Sequence, residues 1–149
     1  MATMTDRESS FDAARRVAAF FDRSECRAVV SAYLFGSRVE GRQHRESDLD
    51  VGVLLDRAAA PTRRERFDAA IRLSAALQVD LGAPAVDLVV LNDAPPLFAR
   101  RIVLDGRRVH CRDAELDHAF VRDVQLRAAD LAPFLERMRA IKLDALAPR

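Results

Sequence analysis

Two features of this 149-residue sequence predict an α/β (α+β) fold, a mixed sheet of about four strands packed by helices. Short segments rich in β-branched and apolar residues recur at about 27–35, 48–55 and 85–91, and turn residues bound each of them. Apolar residues at three- and four-residue spacing mark helices over about 10–24 and 61–81. Helices therefore alternate with strands, which is typical of a sheet covered by helices.

The predicted helices of the first half have recognisable ends. Ser9 or Ser10 is the N-cap candidate of the first helix, because a hydroxyl can accept a hydrogen bond from a free N–H group of the first turn. Pro61–Thr62 is a typical helix start, and Gly82 is a typical helix end. Helical spacing makes three apolar residues of this second helix candidates for the core: Phe67, Ile71 and Leu77.

The C-terminal part of the chain is predicted to be mostly helical. Asn92 or Asp93 can cap a short helix that ends near Asp105-Gly106, and residues 107–111 form a candidate edge strand. Helical spacing then covers about 113–146, where Pro133 should break or kink the helix or begin another one. Its apolar positions can belong either to the core or to an interface with a partner: Leu126, Leu131, Phe134, Leu135, Met138 and Ile141.

Composition narrows the class of protein. Net charge is only +1, so the strong basic excess of a dedicated nucleic-acid binder is missing. Cys26 and Cys111 are too few for a disulfide framework. Residues 1–10 are polar, and no apolar run approaches the ~20 residues that span a bilayer. We therefore expect one cytoplasmic domain over residues 1–149, with no membrane partner.

Three aspartates form the candidate catalytic and metal site. Asp48 and Asp50 open the second strand, and alternate strand residues point to the same face. Asp87 interrupts the otherwise apolar third strand and joins them if the two strands are neighbours. Paired carboxylates repel one another unless a cation compensates them, and oxygen ligands of this kind suit Mg²⁺. The pattern predicts a three-carboxylate magnesium site.

A glycine turn is the candidate phosphate site. Gly36 and Ser37 directly follow a strand, where a glycine allows a ligand close to the backbone and N–H groups can hold phosphate oxygens. Ser37 adds a hydroxyl, and Arg38 adds a guanidinium suited to phosphate. Lys142 is the only lysine, so the grip on phosphate must come from arginine or backbone groups.

These residues carry a resemblance to a known family. Leu34-Phe35-Gly36-Ser37-Arg38, Gly41 and Ser47-Asp48-Leu49-Asp50-Val51 resemble the signature of the DNA polymerase β-like nucleotidyltransferase superfamily. Their spacing is similar to that of its minimal nucleotidyltransferase branch. Val86-Asp87-Leu88-Val89-Val90-Leu91-Asn92 and Asp105-Gly106 extend the likeness, which places the catalytic core at about 26–111.

The resemblance implies an activity and a partner. The branch includes antitoxins that are paired with HEPN-domain toxins. These antitoxins transfer AMP from ATP to a tyrosine of the toxin. By analogy Gly36 and Ser37 would bind the triphosphate, and Asp48, Asp50 and Asp87 would bind two Mg²⁺ ions. ATP would be the co-substrate.

Two alternatives stay open. The chain could neutralise its partner by contact alone, as a non-catalytic binding module. It could also be a small-molecule nucleotidyltransferase of the aminoglycoside type, although only about 38 residues follow Cys111 to build a further substrate site.

Overall fold

The computed structural model of the protein describes residues 4–23, 26–36, 48–83 and 85–147. In chain order its elements are α1 (Met4–Phe21), β1 (Val29–Phe35), β2 (Leu49–Leu55), α2 (Arg63–Leu81), β3 (Val86–Val90), a 3-10 turn (Leu91–Asp93), α3 (Pro96–Asp105), β4 (Arg107–Cys111) and α4 (Ala114–Leu146).

The four strands form one mixed sheet in the order β3-β2-β1-β4. β1 runs antiparallel to both β2 and β4, whereas β2 and β3 are parallel. This arrangement confirms the predicted fold class. It also confirms the assumed adjacency of the second and third strands, on which the proposed carboxylate site depends.

Helices cover both faces of the sheet. Alternate residues of β2, such as Val51 and Val53, pack with Val17 and Phe21 of α1 and with Leu77 of α2, and all five are buried. We call this side the α1/α2 face.

The opposite side, which we call the α3/α4 face, holds Tyr33, Leu54 and Ile102. Gly52 belongs to this face, and a Cβ built there would lie 2.9 Å from the Ile102 side chain. Glycine is therefore needed for α3 to pack this close to β2.

The ends of α2 follow the sequence prediction. Thr62 Oγ1 accepts a hydrogen bond from the Glu65 N–H at 3.1 Å, and the Glu65 carboxylate accepts one from the Thr62 N–H at 2.9 Å. Gly82 ends the helix in the left-handed conformation, with φ +60°. For α1 the expected cap at Ser9 or Ser10 is wrong, since the helix begins at Met4.

Helix α4 runs through Pro133 without a break. It continues through the proline over 33 residues instead of breaking or restarting there. Proline removes the bond that its N–H would donate to the carbonyl four residues earlier. That residue, Ala129, is exposed, so water can satisfy the freed carbonyl.

Several apolar residues of α2 and α4 are exposed, although helical spacing made them candidates for the core. Beyond Ala128 the described part of α4 is exposed throughout, so the positions from Leu131 to Ile141 do not belong to the core of this chain. In α2, Leu77 is fully buried as predicted, but Phe67 and Ile71 are 59% and 54% exposed. None of the helices described combines the length and apolar character that a bilayer crossing requires.

Candidate active site

The strand register brings two of the three predicted aspartates together. Asp50 and Asp87 are directly paired residues of the parallel strands β2 and β3. Paired residues of neighbouring strands point to the same face, and the strands lie about 4.8 Å apart. Asp48 precedes β2 by one residue, and strand alternation continued to that residue would place it on the face of Asp50. Asp48 and Asp87 are exposed and Asp50 is half-buried, so all three can be reached from solvent at one end of the α3/α4 face.

Gly36 packs directly against the Asp50 carboxylate. The antiparallel register pairs Phe35 with Asp50, and Gly36 follows with φ +81°, in the left-handed region that favours glycine. A Cβ built on Gly36 would collide with Oδ2 of Asp50 and lie 3.0 Å from its Cγ. Glycine is therefore required twice, by its backbone conformation and by the side chain beside it.

Two further residues are predicted to bind phosphate. Ser37 and Arg38 lie outside the described residues. Their roles stay predictions.

The donor set is chemically suited to a hard cation. Asp48, Asp50 and Asp87 offer only carboxylate oxygens, the ligands that Mg²⁺ prefers. Within the described ranges, however, no three His, Cys, Asp or Glu side chains already form a group that could hold a metal ion. The metal assignment therefore depends on the shared face and register of the three aspartates.

Two cavities adjoin the aspartates and Gly36. A small one of about 170 Å³ lies between Gly36 and α3, with Phe98, Ile102 and Asp105 in its walls. A larger groove of about 570 Å³ runs along β3 between α2 and α3. We call it the edge groove, and its walls include Phe67, Ile71, Ser74, Asp87, Leu88 and Phe98.

The expected helix cap at Asn92 or Asp93 is wrong, since Pro95 precedes α3 and makes no side-chain cap hydrogen bond. Asn92 instead fixes the position of β3 relative to β2. Its side-chain oxygen accepts a hydrogen bond from the Leu55 N–H, and its amide nitrogen donates to the Leu55 carbonyl, both at 2.9 Å. The two bonds bind the turn after β3 to the end of β2. They support the register that pairs the aspartates at the other end of these strands.

A bidentate ion pair supports the same turn. Arg66 of α2 is almost fully buried and donates two 2.8 Å hydrogen bonds to the carboxylate of Asp93. It also donates to the carbonyls of Ala60 and Pro61. The guanidinium holds the pKa of Asp93 below its usual range, chiefly through the hydrogen bonds.

A buried carboxylate joins α4 to the sheet. Asp117 accepts hydrogen bonds from the Ser31 and Tyr33 hydroxyls at 2.6 and 2.7 Å, and from the Arg108 guanidinium at 2.8 Å. Burial and the hydrogen bond to this carboxylate raise the pKa of Tyr33. This network is not visible in the sequence, where Asp117 resembles any other acidic residue in the first turn of a helix.

The mixed sheet presents a glycine turn beside aspartates of two neighbouring strands, which is the arrangement of a nucleotidyltransferase. Residues 17–115, which are 99 of the 149, match the family described as polymerase beta nucleotidyltransferase. The chain belongs to that family. This confirms the resemblance inferred from the Gly36 and Asp48 motifs.

Individual relatives extend the likeness. Over 81 residues the chain is 38% identical to protein adenylyltransferase MntA of Shewanella oneidensis, a match that spans 52% of this chain and half the length of the relative. A chain of a toxin-antitoxin crystal structure with AMP-PNP is 25% identical, with a TM-score of 0.64, covering 90% of this chain and 98% of its own.

A further solved structure supports the fold alone. It is a complex of the tri-AMPylated Shewanella oneidensis HEPN toxin with an MNT antitoxin, and one of its chains is 21% identical to this protein. The TM-score is 0.60, with 93% of this chain and 99% of the other covered.

Proposed function

We propose that this chain is a Mg²⁺-dependent nucleotidyltransferase that transfers AMP from ATP to a tyrosine hydroxyl of a HEPN-domain toxin, and so acts as its antitoxin. The observation that carries the proposal is the packing of Gly36 against Asp50, with Asp50 paired to Asp87. The relative named protein adenylyltransferase supports transfer of AMP to a protein, and the HEPN-domain acceptor is the one that the family resemblance of the sequence implies. A reaction that consumes ATP fits the cytoplasm, the compartment expected from the sequence.

The chain's residues would divide the reaction between them. Asp48, Asp50 and Asp87 would hold two Mg²⁺ ions, which when bound neutralise the triphosphate and lower the pKa of the acceptor hydroxyl. Gly36, Ser37 and Arg38 would orient the phosphates. Asp87 would take the acceptor's proton, directly or through water. The acceptor oxygen bonds to the α-phosphorus, the bond from that phosphorus to the oxygen bridging the β-phosphate breaks, and pyrophosphate leaves.

The position of the transferred label tests this proposal. The protein is incubated with Mg²⁺, a HEPN-domain acceptor and ATP labelled either on the α- or on the γ-phosphate. We expect label on the acceptor only from α-labelled ATP, and none when the acceptor tyrosine is replaced by phenylalanine. Transfer from γ-labelled ATP would indicate a kinase, and no transfer from either would overturn the proposal.

Metal dependence provides a second test. Three carboxylates should repel the bare triphosphate, and a divalent cation should reverse this repulsion. Calorimetry should therefore show much tighter ATP binding with Mg²⁺ than without it. Equal affinity under both conditions would contradict the carboxylate site.

A non-catalytic binding module is the second candidate, because the C-terminal half of α4 exposes an apolar row. Leu131, Leu135 and Met138 continue the side of the helix that carries the buried Val124 and Ala128. Such a surface suits a partner protein. If substitution of Asp48 and Asp50 left antitoxin action intact, neutralisation by contact would be the better account.

A further inference from the structure

The edge groove is an exposed apolar channel that begins at a candidate catalytic carboxylate. Its floor is β3, which lies at the edge of the sheet. Phe67 and Ile71 form its wall on α2, more than half exposed, and Phe98 forms part of the wall on α3. Asp87 belongs both to this groove and to the aspartate site. A ligand bound in the groove therefore lies beside the candidate catalytic aspartates.

The free side of β3 presents backbone groups ready for pairing. The Leu49 N–H donates to the Ala85 carbonyl, so in this parallel pair Ala85 and Asp87 direct their backbone groups toward β2, while Val86 and Leu88 direct theirs outward. The Ser74 hydroxyl donates a hydrogen bond of 3.0 Å to the Val86 carbonyl. Within the described ranges no hydrogen bond reaches the outward N–H and C=O of Leu88.

We propose that the edge groove binds the acceptor-bearing segment of the partner protein as an extended strand added beside β3. The inference deepens the proposed function and depends on it. Unpaired backbone groups flanked by apolar walls suit a polypeptide, since strand addition draws affinity from main-chain bonds and specificity from alternate side chains. The five residues of β3 span about 16 Å, which matches a segment of about five residues.

The added strand has a defined orientation of its side chains. The Asp87 side chain lies on the α3/α4 face, together with Asp50. Side chains of the added strand alternate between the two faces. The acceptor tyrosine therefore lies on the α3/α4 face, and its immediate neighbours face Phe67 and Ile71 on α2. Apolar residues on either side of the tyrosine are the preferred sequence.

Steady-state transfer to the HEPN-domain acceptor tests the groove. Phe67→Glu and Ile71→Glu each place a charge on the α2 wall, and Val79→Glu is the matched control, because Val79 is 84% exposed on the same helix but does not line the groove. We expect both groove variants to raise the KM for the acceptor about tenfold or more. Their KM for ATP and their melting temperature should match those of the control.

A backbone variant separates strand addition from simple apolar contact. Leu88→Pro removes the outward N–H, a change that an edge strand tolerates, whereas Leu88→Ala removes only side-chain packing. Acceptor KM should be higher in the proline variant than in the alanine variant. If the wild type transferred AMP while both groove variants kept the acceptor KM of the control, that result would overturn binding of the acceptor in the groove but would not affect the proposed function. Failure of the wild type to transfer AMP would overturn both.

Discussion

Replacing Gly36 with alanine should destabilise the fold for two separate reasons, although the change removes no polar atom. Its φ of +81° lies in a region that costs a residue with a Cβ about 1–2 kcal/mol. The new methyl would also collide with the Asp50 carboxylate, and overpacking of this kind costs about 1–3 kcal/mol. We expect a total loss of about 2–5 kcal/mol in the free energy of unfolding.

Gly82 offers the matched control for backbone strain. It has φ +60°, and a Cβ built on it would meet no atom within 4 Å. Gly82→Ala should therefore cost only the conformational part, about 1–2 kcal/mol. The excess loss at Gly36 measures the contact with Asp50. It should shrink in the double variant Gly36→Ala/Asp50→Ala, where the carboxylate is gone.

Urea unfolding and calorimetry on the same preparations give both readouts. Gly36→Ala should weaken Mg²⁺-ATP binding, because the displaced Asp50 carboxylate no longer lies beside Asp87. Gly82→Ala should bind Mg²⁺-ATP like the wild type. Equal stability losses at the two glycines, together with unchanged ATP affinity in Gly36→Ala, would refute the assignment of Gly36 to the site.

Three further predictions concern the scaffold. The arginine partner lowers the pKa of Asp93, so the carboxylate stabilises the fold above its ordinary pKa of 3.8 and loses that effect as pH falls through its lower folded value. In urea melts the stability deficit of Asp93→Asn should therefore shrink as pH falls below about 4, and a deficit that does not change with pH would contradict the ion pair. Asp117→Ala leaves two buried hydroxyls without their acceptor and should lower the free energy of unfolding by about 2–4 kcal/mol, whereas a loss below about 0.5 kcal/mol would mean that water replaces the carboxylate. Leu135→Ala should change the free energy of unfolding by less than about 0.5 kcal/mol, because Leu135 is exposed. Leu77→Ala, at a fully buried site, should cost about 2–5 kcal/mol. Equal costs would mean that the end of α4 packs on the domain.

Local patterns predicted the elements that position the site. The β-branched segments became strands, and the order of elements placed Gly36 and Asp50 at neighbouring strand ends. The pairing of Asp50 with Asp87 could be stated from the sequence only as a condition. Strand order is a property of the whole sheet, and nothing local to either aspartate specifies its neighbour.

Distant contacts explain what sequence reasoning missed. Ser31 and Tyr33 bond to a carboxylate 86 and 84 residues away, so no local spacing reveals them. Phe67 and Ile71 fit the helical period as well as Leu77 does, yet α2 packs at the sheet's edge and only the side with Leu77 reaches the core. A periodic pattern identifies a helix face but not the extent of the surface available to cover it.

Transfer from α-labelled ATP by Asp50→Asn, compared with the wild type and with Asp123→Asn, shows whether the reaction needs the Asp50 carboxylate. Asp123 pairs with Arg127 on the surface of α4 and serves as the matched loss of a carboxylate. The substitution at Asp50 keeps the shape of the side chain but removes the charge that the proposed metal site requires. We predict transfer reduced to background in Asp50→Asn, with wild-type rates in Asp123→Asn and similar melting temperatures in all three proteins. Near-normal transfer by folded Asp50→Asn would show that the reaction does not depend on this carboxylate.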